Sequence, residues 1–563
     1  MSIENGFYWD TWIKIIFIKF NLKMRNLLTL IVGALFAQTI SSQNFTESNL
    51  PIILINTQGK TIVNTPKITA LMKVINNKDK VNNINDKTYE YDGYIGIEIR
   101  GNTAQMFEKK SFTVETRIDS GTNLNVSLLG MPEENDWVLY GPYSDKSLIR
   151  NVLAYHLGNT QGRWSPRTRF CEVVINNEYR GVYVLAEKIK IDKNRVNIAT
   201  LKPEDISGDE LTGGYIMRID RDRPGSWNSP FMGRTGSVDV PISYLDPAYD
   251  ELTDEQRMYI RDYITDFEYA LDGDNFKDPE VGYRAYIDVV SWVDYFLITE
   301  LSRDLDGYRV SVYFHKDKDS KGGKLNMSPF WDYNLCFGNG DFFDAEKTEG
   351  WTSDGIGKGD WYEIPFWWDK LREDPYFETH IKYRWEELRS KSFSNMSIFE
   401  FIDSCADVLS EAQVRNFQKF DILDKRVWPN PYIGGTYYAE VNYLKDWIAD
   451  RLYWLDYQIK LIKPSFVNIA ENGSLAGENL SFAYPNPFTD EVTIRFTLPG
   501  NAKVNIIIRN VLGEIIMQQS KECDGGYNDF TFSGNDFNQN GNLFFYTLVV
   551  DGQMVQSGKM IKY

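Results

Sequence analysis

Two carboxylates far apart in the chain are the first residues able to do chemistry together. Asp306 belongs to an acidic knot, Asp304-Leu305-Asp306-Gly307, and Asp332 to the segment Trp331-Asp332-Tyr333-Asn334. A base and a metal-binding carboxylate held side by side are what phosphoryl transfer to a hydroxyl requires. The chain must therefore bring the two together. Tyr308, Val310, Val312 and Phe314 alternate with more polar residues, the period of a strand. A charged turn ending in Gly322-Gly323 leads to a second short apolar run just before Trp331. Paired as an antiparallel hairpin, these runs set Asp306 and Asp332 at one rim. The competing reading makes both acids solvated turn or strand-end residues.

The 563-residue chain is 42% hydrophobic and 15% aromatic, enough for sizeable cores and for more than one domain. Its formal charge of -18 argues against a general nucleic-acid or anionic-membrane binder. Four cysteines (Cys171, Cys336, Cys405, Cys523) lie far apart without CxxC spacing, so zinc and thioredoxin-like readings fail and isolated buried thiols are expected. Three scattered histidines give little support to a hydrolase triad.

Met24-Arg25, the apolar run Leu27 to Phe36 and small or polar residues through Ser42 read as a secretory signal peptide, with Met24 the expected natural start. The run is too short to remain as a membrane anchor. A two-helix anchor using the earlier run Ile13 to Phe20 is the alternative. From Leu50 to about Ser120 the pattern is strands, including Ile52–Ile55, Tyr94–Arg100 and a strand opened by Lys109-Lys110. A lysine entering such a strand reaches phosphates or lies on a wet edge. Ser144 or Asp145 caps a helix carrying Arg150 and Asn151 on its first turns. Val173–Ile175 and Val182–Leu185 read as a hairpin that ends at Glu187-Lys188, and Gly213-Gly214 opens a strand ending at Asp220.

Helices follow. Thr253-Asp254-Glu255-Gln256 is a capping box, Ile287 to Leu301 runs into the acidic knot, and Asp374-Pro375 starts another helix. Ile398 to Phe417 and Val441 to Ile459 are expected as further helices. Their tryptophans and tyrosines are read as core, with carbohydrate stacking as the minor alternative. A polar linker covers 464–480, and 481–563 reads as a small all-β sandwich of immunoglobulin-like build.

Two resemblances rest on these residues. The last eighty or so residues resemble the type A C-terminal sorting domain of the type IX secretion system, through Tyr484-Pro485-Asn486-Pro487-Phe488, Gly513, Phe544-Phe545-Tyr546 and Gly558-Lys559-Met560. Asn542-Leu543-Phe544-Phe545-Tyr546 stands where that family has Gly-x-Tyr. Residues 43–463 resemble the CotH family of spore-coat-protein-H-like atypical kinases. The matching stretches include Arg100-Gly101 with Lys109-Lys110-Ser111, Ser144 to Ser147 through Arg150-Asn151, Asn177 to Gly181 with Glu187-Lys188, Gly213-Gly214-Tyr215, Asp306-Gly307-Tyr308 and Trp331-Asp332.

The second resemblance implies an α+β, distantly protein-kinase-like bilobal fold, with a β-rich N-lobe, a hinge near Glu187 and a helical C-lobe. It implies Asp306 as the catalytic base, and Lys110, Arg150 and Glu187 as residues that bind ATP. Asp332 takes the Mg²⁺ or Mn²⁺ position, joined by Ser311 and Asn334. Ser311 replaces the family's asparagine five positions after the base, and Asn334 replaces the second acid of Trp-Asp-x-Asp, which removes a carboxylate from the expected cluster. The implied activity is transfer of the ATP γ-phosphoryl group to Ser/Thr hydroxyls of exported proteins. The alternatives are a pseudokinase acting as a surface adhesion or coat-assembly module, and a carbohydrate-active enzyme using the acids as acid and base. The implied partners are exported protein substrates and the type IX secretion machinery.

Overall fold

The computed structural model describes residues 45–463 except 79, and 481–562 except 485, 487, 499–500 and 538–541. The signal-peptide reading, the start at Met24 and the linker at 464–480 lie outside the described residues.

Seven strands close into a barrel: β1 (Ile52–Asn56), β2 (Ile68–Ile75), β3 (Tyr91–Arg100), β4 (Ser111–Arg117), β5 (Asp136–Tyr140), β6 (Thr168–Ile175) and β7 (Glu178–Glu187). Their order is β1-β2-β3-β4-β5-β7-β6, and β1 closes the ring by pairing parallel to β6, Ile52 opposite Glu172 and Ile55 opposite Ile175. Alternation fills the barrel: Ile53, Met72, Val74, Ile95, Ile97, Val114, Leu139 and Leu185 all point into one core. Strand β7 is buried on both faces, because Val182 and Val184 turn outward onto a second, larger core.

That second core is built by helices and a five-stranded sheet. Helix α1 (Arg150–Thr160) bridges barrel and core, and the sheet has the order β9 (Trp227–Asn228), β10 (Pro241–Asp246), β8 (Tyr215–Ile219), β11 (Val312–Lys316), β12 (Leu325–Asn326). Helix α2 (Asp254–Asp272) starts with the expected capping box, Thr253 Oγ1 accepting from the Gln256 N–H and Gln256 Oε1 from the Thr253 N–H. Helix α3 (Val289–Ser302) is apolar on nearly every side and sits in the centre of the core, capped by Asp288. The same core takes in α4 (Trp367–Arg372), α5 (Pro375–Arg389), α6 (Asn395–Val408) and α8 (Tyr437–Leu461), while α7 (Ala412–Lys419) packs on barrel strand β7. Asp374 caps α5 with proline in its first turn, as expected.

Two expectations are corrected here. The segment Ile398 to Phe417 is not one helix: it breaks at Leu409–Glu411, and Leu409 is fully buried where the chain turns into α7. The hairpin strand expected from Tyr308 begins at Val312, because Tyr308 and Ser311 adopt positive φ (70° and 56°) and carry a turn. The alternation of Tyr308 and Val310 came from two turn residues buried by the core. The hairpin partner β12 is short, meeting β11 only at His315–Asn326 and Lys316–Leu325.

The C-terminal part is all antiparallel. A three-stranded sheet (Ser481–Tyr484, Glu491–Leu498, Gly526–Ser533) faces a four-stranded one (Ala502–Asn510, Ile515–Cys523, Leu543–Val550, Gln553–Ile561). Ile494, Phe496, Ile506, Ile508, Phe544 and Leu548 form the core between them. All four cysteines are buried and free.

Candidate active site

Helix α3 ends at Arg303, whose left-handed backbone (φ 47°) turns the chain sharply into Asp304. The Asp306 carbonyl accepts from the N–H groups of Arg309 and Val310, which fixes the acidic turn at the end of the most buried helix. Asp332 is presented by a second strained turn, with φ at 68°, and its N–H donates to the Tyr155 hydroxyl of α1 at 3.1 Å. The two acids meet through these turns rather than through strand pairing. Both line one cavity of about 500 Å³ between the barrel, α1, the end of β8 and the turn after Trp331.

Burial favours the protonated form of all three acids. Asp304 is 3% exposed, its Oδ1 has no hydrogen-bond partner, and burial together with the charges of Asp306 and Asp332 raises its pKa well above the usual range. Burial also raises Asp306, against the opposing pull of Arg309 and Arg221. Asp332 is pushed up to about 6, first by burial and then by the charge of Asp306, with Arg100 opposing. A divalent cation is the ordinary relief for such mutual repulsion. Among the described residues no three Asp, Glu, His or Cys side chains group closely enough to hold a metal by themselves. Mg²⁺ commonly takes only one or two carboxylates, with phosphate, neutral oxygens and water completing its shell. The residues present fit that kind of site: Ser311 and Asn334 line the same cavity and carry neutral oxygens.

Arginines line the same cavity. Arg100, at the end of β3, lies over Trp331 with its guanidinium 5.2 Å from the ring centroid, and Trp331 stacks on Tyr155. Arg218 on β8 donates to Ser243 Oγ at 3.0 Å. Beyond Asp220, which pairs with Arg223 at 2.6 Å, Arg221 lines the cavity and makes no hydrogen bond or ion pair among the described residues. Its charge acts on both Asp306 and Asp332.

Of the expected residues, the structure brings Asp306, Ser311, Asp332 and Asn334 together and leaves three others outside the cavity lining. The Lys110 ammonium donates to the carbonyls of Gln105 and Phe107, both at 2.5 Å, which ties down its own loop. The neighbouring Lys109 is buried and donates to Asn416 Oδ1 at 2.8 Å. Arg150 is buried, paired with Asp145 at 2.6 Å and bonded to the carbonyls of Cys336 and Phe337. Glu187 is fully buried between Arg167 at 2.7 Å and Arg195 at 3.2 Å. Sequence reasoning missed Arg218, Asp220 and Arg221. The signal was present in the alternating charges of Arg218-Ile219-Asp220-Arg221-Asp222-Arg223 at the end of a strand.

No helix among the described residues is long and apolar enough to cross a membrane. Comparison with solved structures finds similarity to Pseudomonas fluorescens alkylpurine DNA glycosylase AlkC bound to DNA containing an abasic site analog, at 12% identity and a TM-score of 0.11. The match covers 36% of this chain and 55% of that one, so the chain spans about half the length of that protein, and a score this low carries no argument. No curated protein matches. Residues 483–542 match the model of a secretion system C-terminal sorting domain, which implies carriage by type IX secretion to the cell surface or beyond. The acids and arginines of the cavity, and all of its lining but Asn64, fall within residues 97–455, which match the model described as CotH kinase protein. With more than half of its length matched, this chain belongs to the CotH family.

Proposed function

We propose that this protein is an exported, metal-dependent phosphotransferase that moves the ATP γ-phosphoryl group to Ser/Thr hydroxyls of exported proteins. The observation that carries the reading is the convergence of Asp306 and Asp332 on one cavity that Arg100, Arg218 and Arg221 also line. Asp306 orients the acceptor hydroxyl and takes its proton. Its side chain remains about one quarter exposed (23%), open to an entering hydroxyl. Asp332, with Asn334 and Ser311, would hold Mg²⁺ or Mn²⁺, which neutralises phosphate charge when bound. Arg221, Arg100 and Arg218 face the phosphates in the role first given to Lys110, and positioning plus charge stabilisation is most of what phosphoryl transfer needs. The barrel and the helical core on either side of the cavity support a distantly kinase-like, two-lobed reading of 43–463. The β-sandwich supports an immunoglobulin-like sorting domain at 481–563, joined by a linker at 464–480.

A second reading, a pseudokinase serving surface adhesion or coat assembly, is favoured by Ser311 and Asn334 in place of stronger ligands and by the lack of a three-carboxylate group among the described residues. Binding of ATP that requires Mn²⁺ or Mg²⁺, followed by calorimetry on the intact chain, tests both. The phosphotransferase reading requires it, and no metal-dependent ATP binding overturns that reading.

A further inference from the structure

We propose that Asn151 is a further ligand of the cation, its Oδ1 joining Asp332 and Asn334. The assignment rests on the phosphotransferase reading and extends it to a residue on a third element. Asn151 is 5% exposed, lines the cavity, and its Oδ1 has no hydrogen-bond partner. A buried acceptor without a partner is costly, and native proteins keep few of them unless something else satisfies the group.

The fold places Asn151 on the side of α1 that meets the Asp332 turn. Asn151 and Tyr155 are four residues apart on α1 and so share a face. Tyr155 is the residue that receives the N–H of Asp332. Helix α1 packs on the turn Tyr333–Leu335, which carries Asn334. Just before Asn151, Arg150 is locked by Asp145 and by the carbonyls of Cys336 and Phe337, so the helix start and the Asp332 turn form one braced unit.

The chemistry favours a cation over a ligand N–H. Three carboxylates, Asp220, Asp306 and Asp332, line the cavity that this oxygen borders. The described carboxylates do not form a ligand group alone. A hard divalent ion accepts neutral amide oxygens beside one carboxylate. Asn151 and Asn334 supply two of them, from separate elements.

Mn²⁺ binding to the intact chain, read from the electron paramagnetic resonance of free Mn²⁺, tests this without requiring turnover. Asn151→Leu removes the oxygen at similar size, Asn151→Asp replaces it with an anionic one, and Asp332→Ala is the control that must lose binding. Circular dichroism checks folding. Asn151→Leu is expected to weaken Mn²⁺ by at least about tenfold, and Asn151→Asp to tighten it. Parent-like binding by a folded Asn151→Leu protein overturns the assignment alone. So does loss of metal-free ATP affinity with Mn²⁺ binding intact, since that makes Asn151 a nucleotide contact. If Asn151→Leu does not fold, Asn151→Asp decides: unchanged or weaker Mn²⁺ binding overturns the assignment. A parent that binds no Mn²⁺, with or without ATP, overturns both this assignment and the metal-dependent reading.

Discussion

Arg309 divides its charge between two carboxylates, with Nη1 2.6 Å from Asp360 Oδ2 and Nη2 3.5 Å from Asp306 Oδ1. The guanidinium is also held by the carbonyls of Leu305 at 2.9 Å and Tyr362 at 3.0 Å, so it cannot swing freely toward either acid. Asp306 therefore keeps a nearby positive charge without being tied up in a short ion pair. That arrangement suits a base that must still accept a proton.

Replacing Arg309 with methionine removes the largest influence opposing the raised pKa of Asp306. The acid limb of the pH–rate profile is expected to move to higher pH, and Arg309→Lys to move it less. Parent and Arg309→Met profiles that superimpose would contradict the placement of Asp306 as base.

Asp332 gives a second pH signature. Its folded pKa of about 6 stands above the ordinary 3.8, so the native state holds the proton longer than the unfolded state. Ionising it therefore lowers the stability of the metal-free protein as pH rises from 3.8 toward 6. Asp332→Asn, which cannot ionise, should gain stability relative to the parent across that window. Mn²⁺ affinity of the parent should fall as pH drops through about 6. Melting curves of the two proteins at several pH values, with and without Mn²⁺, check the sign.

Arg150 and Lys110 should separate from Arg221 in what they support. Arg150→Ala leaves Asp145 buried and unpaired, and is expected to cost about 3–5 kcal/mol in urea unfolding. Lys110→Ala should leave ATP affinity within about twofold, whereas Arg221→Ala, which removes a charge-assisted contact, should weaken it by about tenfold or more. Calorimetric ATP titrations in Mn²⁺ decide between them. A larger loss for Lys110→Ala would return the phosphate role to the lysine.

What the sequence made legible was local. The alternation of Tyr94–Arg100 announces most of the strand Tyr91–Arg100, and Thr253 and Asp374 announce the starts of α2 and α5, because caps and period are short-range physics. The acids could be chosen because Asp304-Leu305-Asp306 follows an unbroken apolar helix. The missing part was long-range. Lys110 is the local exception, since its ammonium turns back to the carbonyls of Gln105 and Phe107 in its own loop. Nothing near Arg150 shows that Cys336 and Phe337 arrive beside it. The hairpin was misplaced because core burial of Tyr308 and Val310 imitates strand alternation. Closure of the barrel depends on the parallel pairing of β1 with β6, a contact between segments more than a hundred residues apart.

The central claim is tested most directly by transfer of label from γ-labelled ATP to a generic hydroxyl acceptor by the intact chain, with Mn²⁺ or Mg²⁺. Folded Asp306→Ala and Asp332→Ala proteins are assayed beside it. The account predicts incorporation by the parent, dependence on the metal, and loss in both variants. Undiminished incorporation by either folded variant, or none by a parent that binds ATP and metal, would contradict it.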